Sequence, residues 1–202
     1  MRMFTINELL KTGSLILKSG NILRSKYEAR LILSKEIKKD ATYTLLNQSE
    51  LVSDKKKAIF YQKIYKRLIG KPVSRIFGKR EFYSRDFIIN KNTLDPRPDS
   101  EAIIDLVLSL IKIYPKKKIK ILDLGTGTGC LLISILLENK VLSNKRLIGV
   151  GVDISSMAIK TAVENQKKYN LKSDLSFYQS DWFSSVKGKF DIIISNPPYI
   201  KT

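Results

Sequence analysis

Ile119-Lys-Ile-Leu-Asp-Leu-Gly-Thr-Gly-Thr-Gly129, with the apolar run 130–137 directly behind it, decides how the second half of this chain folds. Apolar residues at 119, 121, 122 and 124 read as a strand, the glycines at 125, 127 and 129 as a tight turn, and Cys130 onward as a helix. Glycine admits positive φ and lets a ligand approach the backbone without meeting a Cβ, while the start of the helix offers unpaired N–H groups. Such a turn is built to hold a small polar ligand. A dinucleotide loop of spacing G-x-G-x-x-G would need its third glycine at position 130, where Cys130 stands.

Outward from this turn, strands and helices alternate. A helix is expected from 102 to 113, strands over 119–124, 147–152, 175–178 and 190–195, and helices over 130–137 and 155–169. That order implies a parallel sheet, which binds ligands beyond the C-terminal ends of its strands. Asp123, the loop from Gly125 to Gly129, Asp153, Asp181-Trp182 and Asn196 all fall at or just after those ends. Asp153 closes the strand after the glycine turn, where an acid in related nucleotide folds accepts from ribose hydroxyls.

Asn196-Pro197-Pro198-Tyr199 follows the strand 190–195. An amide or exocyclic amine has its lone pair delocalised, so making its nitrogen a nucleophile requires acceptors that hold its N–H bonds and draw electron density onto nitrogen. The side-chain oxygen of Asn196 and the carbonyl of Pro197 can be those acceptors, and the two prolines keep that carbonyl aimed. Tyr199 offers a face for a flat group. The motif reads planar –NH2 groups.

Ahead of this region the chain is helical. Thr5 and Glu8 form a capping box with Phe4 and Leu9 as its hydrophobic staple, so a helix starts near Ile6 and ends at Gly20-Asn21. A second helix is expected to about Lys38, Leu45 and Leu46 extend the apolar patch, and a third helix opens at Ser53-Asp54. Its expected buried stripe is Ala58, Ile59, Ile64, Tyr65, Leu68 and Ile69, and Gly70-Lys-Pro72 stops it. Glu81-Phe-Tyr83 and Phe87-Ile-Ile89 flank Ser84-Arg-Asp86 as a hairpin. The prolines of 94–101 break every regular pattern, and Asp99 is placed to cap the next helix. Three segments result: a helical domain over 1–74, a hairpin and Pro-rich connector over 75–98, and an α/β domain over 99–202.

Basic residues outnumber acidic ones 37 to 19, and the surplus sits in front: 22 against 9 over 1–98. Two readings of this stand, an RNA or ribosome-associated partner and a lysine-rich solvated surface. One cysteine allows no internal disulfide and fits a reducing compartment, with Cys130 a small packing residue behind the loop. The absence of histidine takes the usual parts from hydrolytic triads and zinc sites, so no metal is expected. No signal peptide or membrane span is evident, and a cytoplasmic protein is expected.

The run from Asp123 to Gly129 resembles the S-adenosylmethionine loop of class I methyltransferases. With Gly78-Lys-Arg-Glu-Phe82, Asp95-Pro-Arg-Pro-Asp-Ser-Glu101, Ser180-Asp-Trp-Phe183 and Asn196 to Tyr199, the chain resembles the protein-glutamine methyltransferases of the PrmC/HemK type. Asn-Pro-Pro-Tyr alone is shared with adenine methyltransferases of DNA and RNA; the Pro-Arg-Pro-Asp-Ser-Glu stretch and the helical domain favour glutamine. The resemblance implies a class I S-adenosylmethionine-dependent methyltransferase fold behind a helical substrate-recognition domain. It also implies methylation of the glutamine in the Gly-Gly-Gln motif of peptide chain release factors, by a monomer. Carried over, Gly125, Thr126, Gly127, Thr128 and Gly129 hold the methionine end of S-adenosylmethionine, Asp153 the ribose, Asp181 and Trp182 the adenine. Asn196, Pro197, Pro198 and Tyr199 take the substrate amide, with Asn196 also beside the cofactor. The family's domain continues through three further strands, so a C-terminally truncated domain is expected, its strand 190–195 unpaired on one edge and turnover by these residues poor.

Overall fold

The computed structural model describes residues 3–171 and 173–197. The chain divides into two compact units, Met1–Phe77 and Gly78–Thr202.

In the first unit a short strand, β1 (Phe4–Thr5), runs into α1 (Ile6–Ser19) through the expected capping box. Glu8 N–H donates to Thr5 Oγ1 at 3.2 Å and Thr5 N–H donates to the Glu8 carboxylate at 2.9 Å. Ile6, Leu9, Gly13 and Leu17 are buried at helical spacing and face α2 (Ser25–Ile37) and α4 (Asp54–Leu68). Between these lie α3 (Ala41–Leu46) and β2 (Leu51–Val52), which pairs antiparallel with β1. A last short helix, α5 (Val73–Phe77), follows Pro72 and takes up residues 75–77 that were expected to begin the connector.

Two expectations fail here for packing reasons. Asp40 caps α3 through Tyr43 N–H, and the helix turns Thr44 inward, so Leu45 and Leu46 are exposed rather than part of the apolar patch. Of the expected stripe, Ile64 is buried as expected and Ile59 and Leu68 are half-buried, but Ala58, Tyr65 and Ile69 are exposed, and Phe60, outside the stripe, is the other buried residue of α4. Gly13 explains this phase: a Cβ there would lie 2.6 Å from Phe60 Cζ, so the missing side chain is the socket for that ring. Lys63 and Arg67, one turn apart, pair with Glu36 and Glu28 of α2 and hold the same face.

The second unit opens with the hairpin β3 (Lys79–Phe82) and β4 (Arg85–Ile88). The two-residue turn is Tyr83-Ser84, earlier than the expected Ser84-Arg-Asp86, and both residues have positive φ, 49° and 56°. Hairpin turns favour this twist but usually recruit Asn or Gly for it. Here the following helix α6 (Glu101–Ile113) compensates, because Tyr83 N–H donates to Glu101 at 2.9 Å and its hydroxyl donates to Asp105 at 2.6 Å. Phe82 and Phe87 then bury in the core of this unit. A 3-10 turn (Pro98–Ser100) leads into α6, whose N-cap is Ser100 with no side-chain cap, so Asp99 does not cap it.

Four parallel strands follow: β5 (Lys118–Leu124), β6 (Arg146–Asp153), β7 (Leu175–Gln179) and β8 (Ile192–Ser195). Helix α7 (Cys130–Leu142) connects the first two and α8 (Ser156–Lys168) the next pair. Alternation along β5 sends Ile119 and Ile121 to one core and Leu122 and Leu124 to the opposite face. The strand order is β7-β6-β5-β8. The chain winds outward through β6 and β7, then returns to lay β8 on the other side of β5. The strand order thus reverses between β5 and β8, and a crevice lies at their C-terminal ends, the usual ligand position in open α/β sheets.

Candidate active site

That crevice is a cavity of about 480 Å³, within the range of small-molecule sites. The β5 turn supplies Gly125, Thr126, Gly127 and Thr128; β6 supplies Asp153; the loop after β7 supplies Ser180, Asp181 and Trp182; and β8 delivers Asn196 and Pro197. Pro198 and Tyr199 lie outside the described residues.

The turn is held in shape by its own backbone. Gly125 and Thr126 N–H both donate to Val152 O at 2.9 Å, and Gly125 and Gly127 have φ of 72° and 55°. Among the described residues, chain neighbours aside, no atom comes within 4 Å of a Cβ built on Gly127, which leaves open space where a ligand can lie. Gly129 is not part of the wall. A Cβ on it would meet Phe177 Cζ at 2.7 Å, so it serves close packing of α7 against the sheet rather than contact with the cavity.

Asp153 is tied by one oxygen to Gly127 N–H, at 3.0 Å, and by the other to Ser155 N–H, at 2.9 Å. Each carboxylate oxygen keeps a second lone pair for a ligand hydroxyl. Asp123, which is 1 % exposed, lies behind the wall and accepts from Thr126 Oγ1 at 2.7 Å. Burial pushes its carboxyl up to about 7, with the Thr126 bond opposing and the Asp153 charge adding. The Cys130 thiol is likewise pushed up by burial, to about 12, which suits packing and not nucleophilic chemistry. Trp182 stands 56 % exposed at a positive φ of 47°. Ser180 supports it by donating to Trp182 O at 2.9 Å while accepting from Ser185 N–H at 3.0 Å.

Residues 102–202 match the family model described as Methyltransferase small domain, and residues 8–78 match the one described as PrmC N-terminal domain. This chain belongs to the PrmC/HemK family of methyltransferases. The Release factor glutamine methyltransferase of Agrobacterium fabrum is 37% identical to it over 188 residues, covering 92% of this chain and 63% of that protein. The protein of the same name from Buchnera aphidicola is 38% identical over 195 residues, covering 96% and 67%. The chain thus spans about two thirds of the length of these curated relatives. A class I S-adenosylmethionine-dependent methyltransferase from Listeria monocytogenes aligns with 95% of this chain and 57% of its own at a TM-score of 0.45 and 19% identity. The second unit has the class I methyltransferase fold.

Part of the wall belongs to no motif that a strand-end pattern reveals. Asn92, Thr93, Leu94 and Pro96 line it, brought there by Asn165, which is fully buried on α8. Asn165 accepts from Ile88 N–H at 2.7 Å and donates to Ile88 O and to Thr128 O, both at 3.0 Å. One amide thus clips the end of the hairpin to the glycine turn. Thr161, one turn earlier, accepts from Asn90 Nδ2 at 2.6 Å. Their only signal in the sequence is polarity on the inner face of an otherwise ordinary helix.

Proposed function

We propose that the chain methylates the side-chain amide nitrogen of glutamine in peptide chain release factors, using S-adenosylmethionine. The observation that carries this is the placing of Asn196 at the end of β8, across one cavity from the glycine turn of β5 and from Asp153. The residues fit that cofactor: open space over Gly127, two carboxylate oxygens with free lone pairs at Asp153, and the Trp182 ring at the rim. Bound there, the cofactor supplies an electrophilic methyl on a sulfonium sulfur. Gly125 to Thr128 would hold its amino-acid end, Asp153 its ribose, and Asp181 with Trp182 its adenine.

Asn196 Oδ1 and Pro197 O accept the two N–H bonds of the substrate amide and raise electron density on its nitrogen. Held this way, the nitrogen would be the nucleophile toward the methyl the cofactor would supply, the sulfur would leave as a neutral thioether and the amide proton would pass to solvent, with no covalent enzyme intermediate. The family resemblance gives Pro198 and Tyr199 a part in binding the substrate amide. The helical unit over 1–77 serves recognition of the protein substrate, in a cytoplasmic monomer, and its surplus of basic over acidic residues suits proximity to RNA. Among the described residues no helix is long and apolar enough to cross a membrane.

Incubating the chain with methyl-labelled cofactor and a release factor, then mapping the label by mass spectrometry, tests the reading. Label on the Gly-Gly-Gln glutamine is expected. Label on an adenine of added RNA, with none on that glutamine, would move the chain to the nucleic-acid methyltransferases.

A further inference from the structure

Ser100 stands at the N-cap of α6, where a serine ordinarily accepts from a backbone N–H of the first helical turn. Its hydroxyl makes no such bond. It is instead accepting from Asn196 Nδ2 at 2.5 Å, across 96 residues of sequence, and both side chains line the cavity. Ser100 is 7 % exposed, and its backbone is fixed by the 3-10 turn, in which Pro98 sets φ and Ser100 N–H donates to Arg97 O at 3.0 Å. A helix end left without its side-chain cap gives up stability. The hydroxyl committed to Asn196 has a geometric effect to set against that loss.

An asparagine amide is planar, with a donor and an acceptor on opposite branches, and rotating it by a half turn exchanges them. Substrate –NH2 groups donate, so only the arrangement with Oδ1 toward the substrate is productive; Nδ2 in that place would set donor against donor. We propose that Ser100 is a positioning residue for substrate recognition: its bond from Asn196 Nδ2 holds the plane of that amide, and in this arrangement Oδ1 is the atom presented to the substrate. This inference rests on the glutamine-methylation reading for its consequence, though not for the hydrogen bond itself. It makes the Pro98–Ser100 turn part of the substrate-reading machinery. An acceptor held in one orientation before substrate arrives needs no reorganisation during reaction.

The test has two arms. In nitrogen-labelled protein, the Asn196 side-chain amide should give two proton resonances far apart in shift and protected from solvent exchange. Ser100→Ala should collapse this pattern and Ser100→Thr, which keeps the hydroxyl, should preserve it. In the methyl-transfer assay, Ser100→Ala should lower turnover about tenfold or more with cofactor affinity unchanged, and Ser100→Thr should restore most of it. Combined with Asn196→Ala, Ser100→Ala should have no further effect, because a residue acting through Asn196 has nothing left to position. An unprotected Asn196 amide in the wild-type chain overturns the proposal, as does an equal loss from Ser100→Ala with and without Asn196. If the chain leaves release-factor glutamine unlabelled while the Asn196 amide is protected in a Ser100-dependent way, the functional reading fails and the Ser100 contact stands.

Discussion

Asp153 ends β6 and Asn196 follows the end of β8 on the same crevice, and removing each side chain should separate substrate reading from cofactor holding. Asn196→Ala is expected to lower turnover about a hundredfold, as loss of one preorganised polar group at a reacting centre does, with cofactor affinity altered much less. Asp153→Ala removes the acceptors for the ribose and also frees Gly127 N–H, so cofactor affinity should fall by about tenfold or more before turnover at saturation does. Calorimetric titration with cofactor beside turnover measurements decides this; equal effects of both changes on both quantities would mean the roles are not separable. Asp123 makes a third expectation. Its native carboxyl sits at about 7 against an ordinary value of 3.8, so the folded state holds a proton that the unfolded chain releases. Stability from this group is full below the unfolded value and is lost as pH rises through about 7, on the order of a few kcal/mol in all. Denaturant melts between about pH 4 and pH 8 should show that decline, and Asp123→Asn should flatten it.

At the scale of elements, Asn165 joins hairpin, helix and glycine turn. Asn165→Leu keeps the volume but leaves Ile88 N–H, Ile88 O and Thr128 O without their partner, at a cost of about 1–3 kcal/mol for each group that water cannot reach. A lowered melting temperature together with faster amide exchange at Ile88 is the expected result; exchange unchanged at Ile88 would show that the clip does not hold the hairpin. Elements with strong local signals were legible in the sequence, and those set by distant partners were not. Thr5 and Glu8 announce α1 because both halves of the box lie within one turn. The order of strands and helices after Glu101 follows from periodicity, and the glycines of 125–129 from the geometry of a strand entering a helix. The inward face of α4 could not be read, since its phase depends on Gly13, more than forty residues away. Nor could the Tyr83-Ser84 turn, whose positive φ values are tolerated through Glu101 and Asp105. Ser100 sits inside a quoted motif, yet its partner Asn196 is visible only once β8 lies beside β5.

Over the whole molecule, the cavity is built wholly from the unit Gly78–Thr202, and the surplus of basic over acidic residues lies toward the other end of the chain. That division fits a catalytic unit with a recognition unit ahead of it, and it localises the central claim to one crevice. The claim is that β5, β6 and β8 assemble a site in which a cofactor methyl faces the Asn196 acceptor. A structure of the chain bound to S-adenosylhomocysteine tests this most directly. The account predicts both ribose hydroxyls at roughly 3 Å from Asp153, the adenine beside Trp182, and the sulfur directed toward Asn196 and Pro197. A ribose away from Asp153, or a sulfur turned from Asn196, would contradict it.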